Sequence, residues 1–174
     1  SERGDRTDEY INIFRNLWTE ENPEFNGRFY SYGNLEFSPK PAQKEGIPIW
    51  IGGHTRRALR RAAELGDAWH PIGLRPPASL TPEELGRSGE ELYSIAHERG
   101  RNPDSIQIAF RAPVVFSNTE RAILTGNSKQ IIEDINSYAQ VGVDHLTIDF
   151  VVSDFESLMD NLKRVGKEVM PHLN

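Results

Sequence analysis

The sequence contains no cysteine, which excludes disulfides, thiolate metal ligands and a cysteine nucleophile together. Long hydrophobic runs are also missing. No stretch approaches the roughly 18 apolar residues of a membrane span, and no signal peptide opens the chain, so a cytoplasmic setting without a membrane partner is the expectation. Positive charge is not in excess: 20 Lys and Arg face 26 Asp and Glu for a net charge of −6, a balance that argues against nucleic acid as a partner. Methionine occurs only at Met159 and Met170. With no initiator at the start, the expectation is either a removed N-terminal segment or a piece of a longer protein. What is present suits one folded domain spanning residues 1–174: 37% hydrophobic residues, 26% charged residues and 14 Gly.

Periodicity organises the chain. Tyr10, Ile11, Phe14, Leu17 and Trp18 recur at helical spacing, which predicts a helix from Thr7 to Trp18 before the Asn22-Pro23 break. The aromatic, β-prone run Arg28–Phe37 predicts a hairpin about Gly33-Asn34. Ile47–Ile51 reads as a strand, and Thr55 as the cap of a helix that stops at Gly66. Ala68–Ile72 is a second short strand. Thr81-Pro82-Glu83-Glu84 spells a capping box with proline at the first helical position. A strand over Ile106–Phe116, a helix capped by Ser128, a strand over Val143–Phe150 and a helix from Ser153 complete the chain. Strands alternating with helices indicate parallel βαβ units; a doubly wound sheet and a (β/α) barrel both fit that order. In either, ligands sit beyond the carboxyl ends of the strands, which puts the loop Gly73–Ser79 on the functional face.

Three features invite chemistry, each with a plainer alternative. Gly52-Gly53-His54-Thr55 joins a strand to a helix. Two glycines permit close backbone approach, and the helix N-terminus suits a phosphate; the alternative is an ordinary tight turn. Trp69 and His70 end the next strand, where the indole could wall a flat ring and the imidazole could move a proton, or both could simply be core neighbours. Arg111 interrupts an apolar strand, so it either faces a polar interior or pairs with a carboxylate, and Asp149 is placed to be that partner. His145 falls at the start of the last strand, on the stability end, while His97 and His172 read as solvated. No spacing of His and carboxylates supports a metal site.

Ile47-Pro-Ile-Trp-Ile-Gly-Gly-His-Thr55 and Ala58-Leu-Arg-Arg-Ala-Ala-Glu-Leu-Gly-Asp-Ala-Trp-His-Pro71 together resemble the bacterial-luciferase-like flavin and deazaflavin (coenzyme F-420) dependent oxidoreductases. The likeness extends to Arg6–Ile11, Phe29–Pro41 and Val143–Phe150, and His70–Pro77 is most similar to the deazaflavin branch. The resemblance implies a TIM-type (β/α)8 barrel of which this chain is the C-terminal half, carrying a small hairpin insertion. It implies hydride transfer between deazaflavin or FMN and a small organic substrate. The cofactor phosphate would lie on Gly52, Gly53, His54 and Thr55, with Trp69 and His70 as pocket wall and Arg111 and His70 in the catalytic set. Two residues beyond Arg111, where some flavin-dependent members have a His, this chain has Pro113. The same reading expects a homodimer, or association with the other half of the barrel. The alternative from a different class is a non-catalytic half-barrel acting as a binding module.

Overall fold

A computed structural model describes residues 2–75 and 77–173. Its opening helix α1 (Glu2–Thr19) leads to a short antiparallel pair, β1 (Phe25–Asn26) and β2 (Ser31–Tyr32). There follow β3 (Trp50–Gly52), α2 (Arg56–Leu65), β4 (Ala68–His70), α3 (Pro82–Glu98), β5 (Gln107–Phe116), β6 (Thr125–Gly126), α4 (Ser128–Gln140), β7 (His145–Phe150) and α5 (Phe155–Arg164). The strands from β3 onward form one parallel sheet in the order β3-β4-β5, with β7 along the body of β5 and β6 on its last two residues. The strand–helix alternation read from periodicity is therefore the observed one; β6 is an addition.

Local chemistry explains most boundaries. The Thr55 hydroxyl accepts the Ala58 N–H, and α2 ends where the Gly66 N–H returns to the Ala62 carbonyl. Thr81 and Glu84 close the expected capping box on α3. Two caps differ from expectation by one residue. Asn127, not Ser128, caps α4 in a box with Gln130, and Asp154, not Ser153, caps α5. The hairpin also moves: its turn is Gly27–Tyr30, not Gly33-Asn34. The cause is tertiary, because the Glu9 carboxylate on α1 accepts the N–H groups of Arg28, Phe29 and Tyr30 and pins the chain there.

The sheet has one covered and one open face. In register, Ile51, Trp69, Ile108, Phe110, Ala112 and Val114 turn toward the helices and form the core with Leu59, Leu85, Leu92, Ile131 and Tyr138. Alternate residues — Trp50, Gly52, His70, Arg111, Pro113, His145, Thr147 and Asp149 — fall on the other face.

Helix α1 is held to this body by charge. Asp5 pairs with Arg57 at 2.6 Å, Asp8 with Arg61, and Arg15 with Asp67 at 3.0 Å. Asp67 also accepts the Ile49 N–H at 2.6 Å, so one carboxylate fixes both α1 and the entry to β3. Asp67→Ala is expected to cost about 1–3 kcal/mol, since it strands a backbone donor as well as a guanidinium. Urea melts measure this directly; a shift of only a few tenths of a kcal/mol would remove Asp67 from that role.

Candidate functional site

The carboxyl ends of the strands gather the site. At the end of β3 the chain turns through Gly53 at φ +106°, a conformation costly for side-chain-bearing residues. A Cβ on Gly53 would lie 3.1 Å from the Ala58 Cβ, whereas one on Gly52 would meet only the His70 carbonyl at 3.6 Å. With the Ala58 N–H taken by Thr55, the N–H groups of Arg56 and Arg57 stand at the open, positive end of α2. Residues 52–56 are all exposed. His54 borders a cleft of about 400 Å³ shared with Ser79, Glu84 and Arg87. Glu84 is held in its charged form, its pKa lowered by the Ser79 hydroxyl and the Thr81 N–H. The donor set and the absence of Cβ atoms fit a phosphate at this turn.

Trp69 does not share that surface. Its ring is 1% exposed and lies among the core residues, on the helix side of the sheet, so the expectation of a pocket wall is corrected. Its contribution to the turn is indirect: the indole N–H donates to the Gly53 carbonyl at 2.8 Å and fixes that residue from beneath. Trp50, which sequence reasoning passed over, occupies the open face instead, with its ring 5.3 Å from His70 and 5.3 Å from His145. Its place two residues before Gly52 was the available signal, since a period of two puts both on one face.

His70 stands beside Gly52 in the register. Its Nδ1 lies 2.6 Å from the Ala109 carbonyl; a carbonyl only accepts, so Nδ1 carries the hydrogen. In that tautomer Nε2 is the acceptor. His145 opens β7 in register with Ala109, whose carbonyl His70 contacts, and its ring lies 5.3 Å from Trp50, so the structure brings it close to His70 on the open face.

Arg111 and Asp149 meet as expected. Asp149 is registered with Pro113, one pleat beyond Arg111, and the guanidinium reaches it through both Nε and Nη2 at 2.9–3.1 Å. Those hydrogen bonds raise the Arg111 pKa above its ordinary value. The pair is not sealed in the core, because the Arg111 side chain remains 42% exposed. Arg75, in the loop after β4, adds a second guanidinium to the same carboxylate at 3.3 Å. Pro76 in that loop lies outside the described residues. Among the described residues no three His, Asp or Glu side chains converge as a metal site requires, and no helix is long and apolar enough to cross a membrane.

Comparisons with known proteins show the family and the fold. A family model described as luciferase-like monooxygenase matches residues 1–131. An FMNH(2)-dependent dimethylsulfone monooxygenase of Pseudomonas putida is 35% identical over 126 residues, covering 71% of this chain and 32% of the relative. The chain thus spans about a third of that protein's length. An F-420-dependent glucose-6-phosphate dehydrogenase of Microbacterium testaceum is 23% identical across 99% of this chain and 61% of its own. The solved structure of an F-420-dependent secondary alcohol dehydrogenase, in complex with an F-420-acetone adduct, superposes with a TM-score of 0.78 at 16% identity. It covers 99% of this chain, which covers 62% of it.

Proposed function

Because this chain belongs to the luciferase-like monooxygenase family and forms part of its barrel, we propose that it carries one wall of a flavin or deazaflavin site in an oxidoreductase acting on a small organic substrate. The observation that carries the reading is the turn Gly52–Thr55, a glycine-lined helix N-terminus on the same end of the sheet as His70 and Arg111. A deazaflavin bound there supplies hydride transfer, and FMN would permit monooxygenation as well.

The chain's own groups have separable tasks. Gly52, Gly53, His54 and Thr55 hold the cofactor phosphate, with Trp69 supporting the turn from the core. His70 offers Nε2 as the atom that takes or returns a proton, its tautomer set by the Ala109 carbonyl. Arg111 keeps Nη1 clear of Asp149 and directs positive charge at an oxygen of substrate or ring. The unpaired edges of β3 and β7 are covered by another polypeptide, in the isolated chain by a second copy.

Titration with FMN and with coenzyme F-420 tests the phosphate site. Gly53→Val should weaken binding at least about tenfold, from steric block and loss of the turn's conformation. Gly52→Ala separates these causes: its Cβ has ordinary space in the protein, so a loss of affinity there reports approach of the ligand. Unchanged affinity in both variants would remove the cofactor from this turn.

A further inference from the structure

Beside the Arg111–Asp149 pair lies a cleft of about 700 Å³, within the size range of small-molecule sites. Leu74, Pro77, Pro113, Ala122 and Ile123 supply most of its wall, and the lining is largely apolar. Among the described residues that line it, Arg75 is the only one with an ionisable side chain. One positive charge in an apolar cleft is a recognition pattern, since it gives an amphipathic ligand a single fixed orientation.

The backbone around Arg75 is built to hold it. The Gly73 N–H donates to the Arg111 carbonyl at 2.9 Å, and the Leu74 N–H to the Ser79 carbonyl at 2.8 Å. Arg75 and Ala78 exchange backbone hydrogen bonds at 3.1 and 2.8 Å. Leu74 and Leu80 both have positive φ, +54° and +48°, unusual for leucine. The second is tied down by the buried Tyr138, whose hydroxyl donates to the Leu80 carbonyl at 2.9 Å. Strain retained at both ends of a loop needs a reason, and loops that present ligand-binding groups are where such strain gathers.

The side chain is poised but not consumed. Arg111 spends three hydrogen bonds on Asp149, while Arg75 spends one, at 3.3 Å, and is half exposed. Two guanidiniums share one carboxylate, which leaves a net positive charge at the cleft and the Arg75 Nε and Nη1 donors unassigned. Nη2 gives Asp149 one of its two hydrogens, so the other, together with Nε or with Nη1, forms an edge that matches a planar carboxylate.

We propose that Arg75 is a specificity-determining residue that selects a substrate with an apolar body and one carboxylate end. This rests on the oxidoreductase reading above, but its test does not require the cofactor. The chain is titrated calorimetrically with hexanoate and with its uncharged isostere hexanamide, as wild type, Arg75→Gln and Arg75→Lys. Wild type is expected to prefer hexanoate at least about tenfold. Arg75→Gln should lose the preference with an unchanged melting temperature, and Arg75→Lys should keep only part of it, having charge without a fork. FMN and F-420 titrations of the same proteins should be indifferent to Arg75→Gln. A carboxylate preference in wild type alongside no binding of either cofactor would sink the cofactor site and leave Arg75 standing. Retained preference in Arg75→Gln, equal binding of the two probes, or no saturable hexanoate binding by wild type below about 10 mM would overturn the proposal.

Discussion

Replacing Trp69 by alanine is expected to cost about 3–5 kcal/mol of folding stability, the range for removing a fully buried aromatic. In a domain of this size each kcal/mol lowers the melting temperature by about 2–4 °C, so the change should be visible in a simple thermal scan. The ring is 1% exposed and registers with Ile51 and Ile108, which also face the helices. Trp69→Phe keeps most of that apolar volume but removes the indole donor from the Gly53 carbonyl, a loss of about 1 kcal/mol. Its second consequence is functional. With Gly53 no longer held from below, cofactor affinity should fall although the phenyl ring never touches the ligand. Urea melts and cofactor titrations on both variants separate the roles. A near-native melt for Trp69→Ala with reduced affinity would return Trp69 to the pocket wall.

The difference between Trp69 and Trp50 shows where sequence reading stops. Each sits in a three-residue strand, too short for a period of two to show which of its faces is buried. The register then assigns one indole to the core, beside Ile51 and Ile108, and the other to the open face. Local signals fared better. The Thr55–Ala58 cap and the Thr81–Glu84 box are each contained within four residues, and both were legible. The Asn127–Gln130 box was equally local, but the adjacent Ser128 masked it. The hairpin turn was not legible because Glu9, which fixes it, lies 19 to 21 residues away. Arg111 and Asp149 stood out because charge inside an apolar strand demands a partner. Arg75 did not, for it sits in a loop where charge needs no explanation and its carboxylate is 74 residues distant.

The isolated chain is expected to self-associate, and the reason lies in what its surface leaves uncovered. Helix α5 has no buried residue: Phe155 is 75% exposed, Leu162 is exposed, and Val151 just upstream is 69% exposed. Fully burying each such side chain contributes about 1.5–3 kcal/mol, and among the described residues nothing does so. The outer edges of β3 and β7 add unpaired backbone donors and acceptors, which template pairing with another chain. A two-fold pair of copies buries the same patch twice and closes the assembly, whereas a head-to-tail contact would leave one patch open at each end. Light scattering over a roughly hundredfold concentration range should therefore show a mass rising above the 19.7 kDa of one chain. Joint Phe155→Glu and Leu162→Glu substitution places like charges against each other across such a contact, and should weaken association by about two orders of magnitude without lowering monomer stability. Hydrogen exchange supplies the second readout. Protection at Trp50–Gly52 and His145–Phe150 should grow with concentration if the edges pair, and stay low if only α5 is covered. A mass fixed at one chain throughout, with both edges exchanging freely, would defeat the expectation. It would also leave the inner-face groups, His70 and Arg111 among them, in open water, where their electrostatic contribution to any chemistry is weakest.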